Sequence, residues 1–110
     1  DVSDDIALQN SLKQVIEEKG NIDIIVNNAG IGGFGAITEQ TFDDFDNVLK
    51  TNLYPTYTTS REFAKHRKSH PELNTYGRII NIASTRWLMS EPDTEAYAAS
   101  KGAIVSHTNS

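Results

Sequence analysis

The sequence predicts an α/β fold built around a parallel sheet, and two features support this. Two short apolar runs, over residues 22–26 and 78–83, have the length and composition of strands that are buried on both faces. Segments in which apolar residues recur with helical spacing lie before, between and after these runs. The resulting order of helix, strand, helix pair, strand and helix is typical of parallel sheets with helical crossovers.

The first helical segments have recognisable starts and ends. The first covers about residues 6–18 and is followed by Gly20, a residue type that often ends helices. The second begins after the loop 27–36, and either Thr38 or Thr41 is the candidate N-cap.

A proline interrupts the longest helical segment. The helical signal resumes after Asn52 and continues to about residue 69, with Pro55 inside it. Proline has no N–H to donate, and its ring clashes with the carbonyl four residues earlier, so we expect a bend here. The last helical segment follows the polar loop 84–93.

Composition and charge exclude several functional classes. The 110 residues suffice for one domain at most, and the formal charge of -5 argues against a nucleic-acid-binding surface. The absence of cysteine excludes disulfides and thiolate metal sites, and the histidines lack metal-ligand spacing. No apolar stretch is long enough to span a membrane. We therefore expect a cytoplasmic protein that has no nucleic-acid, membrane or metal partner.

The number of strands limits what these residues can form by themselves. Two strands cannot make a stable parallel sheet on their own. Neighbouring strands must come from further sequence or from another chain. We interpret residues 1–110 as one partial domain that is truncated at both ends.

Tyr97 and Lys101 form a pair that suits proton transfer. They lie four positions apart, so their side chains share one face of the last helical segment. An ammonium group favours the ionised form of a neighbouring phenol, which can then act as a general acid or base nearer to neutral pH. A Tyr-x-x-x-Lys pair by itself is common on solvated helix faces, so the surrounding residues must decide its meaning.

Ser84 supplies that context. It follows the second apolar run directly, and the ends of parallel strands and the starts of the following helices meet where ligands bind. There a serine hydroxyl can bond a substrate oxygen whose charge changes during hydride transfer. The combination of Ser84, Tyr97 and Lys101 in this order of strand, loop and helix favours a catalytic site over a chance pair.

These residues and two further elements resemble the classical members of the short-chain dehydrogenase/reductase family across the whole chain. Ser84 resembles the family's catalytic serine, and Tyr97 with Lys101 resembles its YxxxK pair. Asn52 resembles its catalytic helix asparagine. By this resemblance the four residues form the catalytic set.

Two further stretches resemble cofactor-binding elements of that family. Asn27-Asn28-Ala29-Gly30 resembles the NNAG element after the fourth strand, and Asp1-Val2 resembles the Asp-Val/Leu pair whose acidic side chain meets the adenine. The resemblance assigns Asn27 to bracing the sheet. It implies the cofactor contacts Asp1, Val2, Asn28, Ala29, Gly30, Tyr97 and Lys101.

The resemblance implies an NAD(P)-dependent oxidoreductase that interconverts a carbonyl and a secondary alcohol by hydride transfer. Tyr97 would be the general acid or base, and Lys101 would promote its ionisation and bond the nicotinamide ribose hydroxyls. Ser84 would position the substrate carbonyl, and Asn52 would hold a water in a proton relay through its backbone carbonyl. The implied fold is a Rossmann-like doubly wound parallel sheet, of which only the central part is present, in a homodimer or homotetramer.

More than one cofactor and more than one function fit the sequence. The family's glycine-rich turn and the residue that selects between cofactors are absent, so the cofactor is NAD or NADP. Residues 30–35 match G-x-G-x-x-G, but the next helix starts only after Thr38, so we interpret them as a flexible loop rather than a dinucleotide fingerprint. The alternatives to catalysis are a non-catalytic dinucleotide-binding regulator of the same fold and an inactive fragment.

Overall fold

The computed structural model describes residues 1–110 and has the predicted α/β architecture. Its two strands pair in parallel, with Ile24 opposite Arg78 and Asn27 opposite Asn81, and helices precede, connect and follow them as predicted. None of the helices has both the length and the apolar character needed to cross a membrane. The elements are α1 (Asp5–Lys19), β1 (Ile24–Asn27), α2 (Phe42–Asn52), α3 (Tyr54–Ser69), β2 (Arg78–Asn81), a short 3₁₀ helix (Thr85–Trp87) and α4 (Glu95–Thr108).

α1 begins and ends at residues that suit helix termini. Asp4 accepts a hydrogen bond from the N–H of Ala7 at the start. Gly20 ends the helix in a left-handed conformation with a φ of 82°. The helix extends one residue beyond each predicted bound, and it packs against α3.

α2 begins at a capping box. The hydroxyl of Thr41 accepts a hydrogen bond from the N–H of Asp44, and the Asp44 carboxylate accepts bonds from the hydroxyl and the backbone N–H of Thr41. These bonds lower the pKa of Asp44. Of the two candidate caps, Thr41 is the one that the helix uses, while Thr38 lies in the turn before it.

The predicted bend in the longest helical segment is a full break. α2 ends at Asn52, α3 begins at Tyr54, and Pro55 occupies the first turn of α3. Proline suits a first turn because no N–H is required there. The carbonyl of Leu53, at the break, accepts hydrogen bonds from both the N–H and the hydroxyl of Thr56. The break therefore leaves Asn52 as the last residue of α2.

The sheet is covered on one face and open on the other. Ile25 is 9% exposed, whereas its neighbours Ile24 and Val26 are 53% and 56% exposed. The prediction that both faces are buried was therefore wrong for these residues, because the helices of the chain cover only one face. Both strands are also shorter than predicted, since β1 begins at Ile24 and β2 ends at Asn81.

The interface between α2 and α4 holds the most deeply buried part of the chain. Val48 from α2 and Ala96 and Ile104 from α4 are at most 2% exposed. Two polar side chains, Asn52 and Ser100, are equally buried there, at 2% and 0% exposure. This interface fixes the position of α4 relative to the loop that follows β1.

We expect Gly33→Ala to destabilise the fold because Gly33 packs directly on this interface. A Cβ at position 33 would lie 2.5 Å from Cγ2 of Val48, which is 2% exposed and has little room to move. Overpacking of this kind costs about 1–3 kcal/mol of unfolding free energy, which urea denaturation would measure. The matched control is Gly102→Ala in α4, where the nearest atom is 4.0 Å from the added carbon. The control should be neutral or stabilising by about 0.5–1 kcal/mol, and equal unfolding midpoints for the two variants would contradict the prediction.

His66 makes folding stability depend on pH. It is 8% exposed, and its Nε2 lies 3.0 Å from Oδ1 of Asn21, which joins α3 to the residues before β1. Burial, assisted by the charges of His70 and Arg67, lowers the pKa of His66 from its ordinary value of 6.5. Below about pH 6.5 the unfolded chain therefore binds more protons at this position than the folded chain does.

We expect His66 to contribute fully to the free energy of unfolding above about pH 6.5. That contribution should decrease as the pH falls toward the lowered pKa. The variant His66→Gln lacks the titrating ring, so the slope of its free energy of unfolding against pH should be smaller. Urea unfolding between about pH 5 and pH 8 would measure it. An identical slope in both proteins would assign the pH dependence to other groups.

Candidate active site

Tyr97 and Lys101 lie on one face of α4, as their spacing predicts. The ammonium nitrogen of Lys101 is 5.7 Å from the centre of the Tyr97 ring. Lys101 is 5% exposed, and its Nζ donates a hydrogen bond of 2.8 Å to the carbonyl of Ile82, the residue after β2. This bond uses one of the three ammonium N–H groups, so the other two remain for a ligand.

Ser84 lies beyond the end of β2 and caps the 3₁₀ helix. Its Oγ accepts a hydrogen bond of 3.2 Å from the N–H of Arg86, which leaves its own O–H free to donate. Ser84 and Tyr97 line one cleft of about 440 Å³, together with Phe34, Arg86 and residues 91–94. We call this cleft the serine cleft. The structure thus brings Ser84 and Tyr97 together.

A second cleft adjoins the first. It measures about 360 Å³, shares Phe34 and Tyr97 with the serine cleft, and contains Lys101 together with Asn28 and Gly30 from the loop after β1. We call it the lysine cleft. The ring centres of Phe34 and Tyr97 are 5.9 Å apart and the rings are tilted, so Phe34 packs beside the phenol. Tyr97 therefore borders two neighbouring clefts, one with a free hydroxyl and one with a cation.

Gly30 lets the backbone come close to the ammonium group. A Cβ at this position would lie 3.7 Å from Nζ of Lys101 and 3.5 Å from Oδ1 of Asn52. Glycine leaves the backbone without a side chain where it borders the lysine cleft. A ligand that carries hydroxyl oxygens, such as a ribose, fits the donors and the open backbone found here.

Asn52 lines neither of these two clefts and instead holds the wall of the lysine cleft. Its Oδ1 accepts a hydrogen bond of 2.8 Å from the N–H of Ile31, and its Nδ2 donates one of 2.9 Å to the Ile31 carbonyl. Ile31 lines the lysine cleft. The side chain of Asn52 is thus committed to the loop, and the predicted water relay through its backbone carbonyl stays a prediction.

The remaining predicted cofactor residues fall into two groups. Val2, Asn28 and Ala29 line one small cleft of about 210 Å³ with Asn52. Asp1 lies outside that cleft, where its carboxylate accepts hydrogen bonds from Ser3, and its contact with adenine stays a prediction.

Asn27 braces the sheet, as predicted. Its Nδ2 donates a hydrogen bond of 2.7 Å to Oδ1 of Asn81 on β2. Its Oδ1 accepts one of 2.9 Å from the hydroxyl of Thr59 on α3. The side chain thus ties both strands to the helix that covers them.

The whole chain matches known proteins of one family. A family model described as short chain dehydrogenase matches residues 1–110. The chain belongs to the short-chain dehydrogenase family. It is 39% identical over 110 residues to an uncharacterized oxidoreductase of Thermotoga maritima, and the match covers 100% of the chain and 41% of that protein.

Solved structures share the fold of this chain. A 4-hydroxyisoleucine dehydrogenase complexed with NADH matches with a TM-score of 0.87 and 38% identity, over 98% of the chain and 46% of that structure. ElxO with NADP bound matches with a TM-score of 0.85 and 29% identity, over 97% of the chain and 42% of that structure. The fold is Rossmann-like, and the chain spans about two fifths of the length of the curated relatives that it matches.

The loop of residues 30–35 makes hydrogen bonds that the sequence did not predict, while its flexibility stays a prediction. Nε2 of Gln40 donates a hydrogen bond of 2.7 Å to the Gly35 carbonyl, and the Gly35 N–H donates one of 3.2 Å to the carbonyl of Asp93. Sequence reasoning also missed Phe34 and Ser100. The available signal for Ser100 was its position three residues after Tyr97, on the same face of a helix.

Two further features lie near the candidate site and involve none of the four predicted catalytic residues. Arg86 forms an ion pair with Glu91 in the serine cleft, so the two side chains neutralise each other. The largest cleft, about 670 Å³, lies between the start of α1 and the helices α3 and α4. It contains none of the four predicted catalytic residues, so the smaller clefts are the candidate active site.

Proposed function

We propose that this short-chain dehydrogenase is an NAD(P)-dependent oxidoreductase that interconverts a carbonyl and a secondary alcohol, with Tyr97 as the general acid or base. The observation that carries the proposal is that Tyr97 borders both the cleft with Ser84 and the cleft with Lys101. In that position one phenol can serve a substrate in the serine cleft while it contacts a cofactor in the lysine cleft.

The chain's own residues would handle the proton and the substrate oxygen. In carbonyl reduction the Tyr97 phenol donates its proton to the carbonyl oxygen, and in alcohol oxidation the phenolate takes it back. The free O–H of Ser84 donates a hydrogen bond to the same oxygen, whose negative charge grows during reduction. Lys101 would place a positive charge beside this ring, with its Nζ 5.7 Å from the ring centre.

The lysine cleft would hold the reactive end of the dinucleotide, whose nicotinamide supplies or accepts the hydride when bound. The two remaining N–H groups of Lys101 suit the ribose hydroxyls, and Asn28 and Gly30 border the same space. We assign Ala29, whose small side chain lets the backbone approach the nucleotide, to the cofactor as well, and we assign Asp1 and Val2 to its adenine end. Support for either NAD or NADP comes from the solved relatives described above, one of which holds NADH and the other NADP.

We also propose how these residues belong to a larger protein. Residues 1–110 would be the central part of a larger dinucleotide-binding domain, truncated at both ends, and the coverage of the relatives together with the open face of the sheet supports this. Asn52 would contribute the water relay from the end of α2. The family resemblance further suggests a homodimer or homotetramer in the cytoplasm that acts on a small-molecule carbonyl or alcohol.

The test is oxidation of NADH and NADPH by the complete protein that contains these residues, with a panel of ketones, aldehydes and sugars. We expect turnover with at least one pair of cofactor and substrate, followed as the loss of nicotinamide absorbance. Cofactor binding without turnover on the whole panel would contradict the proposal and favour a non-catalytic regulator of the same fold. Failure to bind either cofactor would contradict both.

A further inference from the structure

Ser100 is fully buried between two of the catalytic residues. It is 0% exposed. Its Oγ donates a hydrogen bond of 2.7 Å to the Tyr97 carbonyl and accepts one of 3.0 Å from Nδ2 of Asn52. The hydroxyl therefore joins the end of α2 to the turn of α4 that carries the phenol.

The bonds of Ser100 and Ile31 require the same orientation of the Asn52 amide. The proton of the Ser100 hydroxyl is donated to Tyr97, so Ser100 offers Asn52 only a lone pair and selects its NH₂ group. The Ile31 N–H selects the oxygen of the amide, and the Ile31 carbonyl selects the NH₂ group. A reversed amide would lose all three bonds, so each bond supports the other two.

The orientation of the Asn52 amide affects the lysine cleft through the backbone of the loop after β1. Ile31 and Gly30 line the lysine cleft, and the Gly30 backbone lies close to both Asn52 and Lys101. Ser100 touches neither cleft. Any effect of Ser100 on the reaction must therefore pass through Asn52 or through the turn of α4.

We propose that Ser100 is a positioning residue: by orienting Asn52 it holds the backbone of Ile31 in place as the wall of the lysine cleft. The catalytic consequence rests on the proposed function, whereas the structural consequence rests on the three hydrogen bonds alone. Removal of the hydroxyl leaves one N–H of the buried Asn52 amide without a partner, which weakens the hold on Ile31.

The first measurement is hydrogen exchange at the Ile31 N–H in the complete protein, which requires no activity. Ser100→Ala should speed this exchange about tenfold, the factor that corresponds to the loss of one ordinary hydrogen bond. Ser100→Cys keeps the shape of serine but bonds weakly, and it should show the same direction if the alanine variant does not fold.

The matched control is Ser69→Ala. Ser69 also bonds a carbonyl within its own helix, that of Lys65 at 2.9 Å, but it is exposed and has no partner on another element. Its replacement should leave exchange at Ile31 unchanged. Unchanged exchange at Ile31 in both Ser100 variants would overturn the proposal.

The second measurement separates positioning from a general structural role. Ser100→Ala should raise the KM for the cofactor about tenfold with a smaller change in kcat, since the lysine cleft is disturbed and the phenol is retained. In an Asn52→Ala background the same change should have no further effect on KM. A full additional effect in that background would overturn the proposal. Faster Ile31 exchange in a protein without turnover would support the positioning role and contradict only the proposed function.

Discussion

Replacement of Tyr97 by phenylalanine should lower kcat about 10²–10⁴-fold in the complete protein, the range that general acid or base catalysis contributes. The variant keeps the ring, and with it the packing against Phe34 and the position beside Lys101. It removes only the hydroxyl of a residue that lines both clefts. The dissociation constant of the cofactor, measured by fluorescence titration, should change far less than kcat because the donors of Lys101 are kept.

Tyr76→Phe is the matched control for this experiment. Tyr76 is 84% exposed and lies in the loop before β2, outside both clefts. Its variant should turn over at the rate of the unsubstituted protein. Comparable turnover in the Tyr97 variant would exclude the phenol as the proton donor and would contradict the role that we propose for Tyr97.

Replacement of Lys101 by methionine should affect both binding and chemistry. Methionine has a similar length and suits a position that is 5% exposed, but it supplies neither charge nor N–H groups. Under the proposed function the ribose hydroxyls lose their donors and the Tyr97 ring loses the positive charge beside it, so we expect kcat/KM to fall about 10²–10³-fold. Steady-state kinetics with varied cofactor should show a raised KM as well as a lowered kcat, which distinguishes this variant from Tyr97→Phe.

Lys68→Met is the control for the lost lysine. Lys68 is exposed near the end of α3 and lines neither cleft. Its variant should show the kinetics of the unsubstituted protein. A Lys101→Met protein that folds, by urea denaturation, and retains its KM for the cofactor would remove Lys101 from the cofactor site.

The placement of Tyr97 beside Lys101 was predictable because local rules fix it. A spacing of four places Tyr97 and Lys101 on one helix face whatever surrounds the helix, and the structure confirms it. The position of Ser84 follows from the end of an apolar strand, and the strand order brings it to the same cleft as Tyr97. The helix break near Pro55 follows from the covalent chemistry of proline.

The supporting contacts were not predictable because they join distant parts of the chain. Asn52 and Ser100 bond across 48 positions, and nothing in either local sequence specifies the partner. Gln40 bonds the Gly35 carbonyl only because of the path that the loop takes. The exposure of Ile24 and Val26 depends on which elements cover the sheet, and an apolar strand sequence does not contain that information.

The open sheet affects how the 110-residue chain behaves when it is made alone. Each of its two strands has a partner on one side only, so a row of backbone N–H and carbonyl groups is left unpaired along the other side of each strand. Apolar side chains accompany these groups, since Ile24, Val26 and Ile80 are 45–56% exposed. Unpaired strands of this kind are templates for the addition of strands from other molecules. We therefore expect the 110-residue chain, made alone, to self-associate through the sheet in a concentration-dependent way.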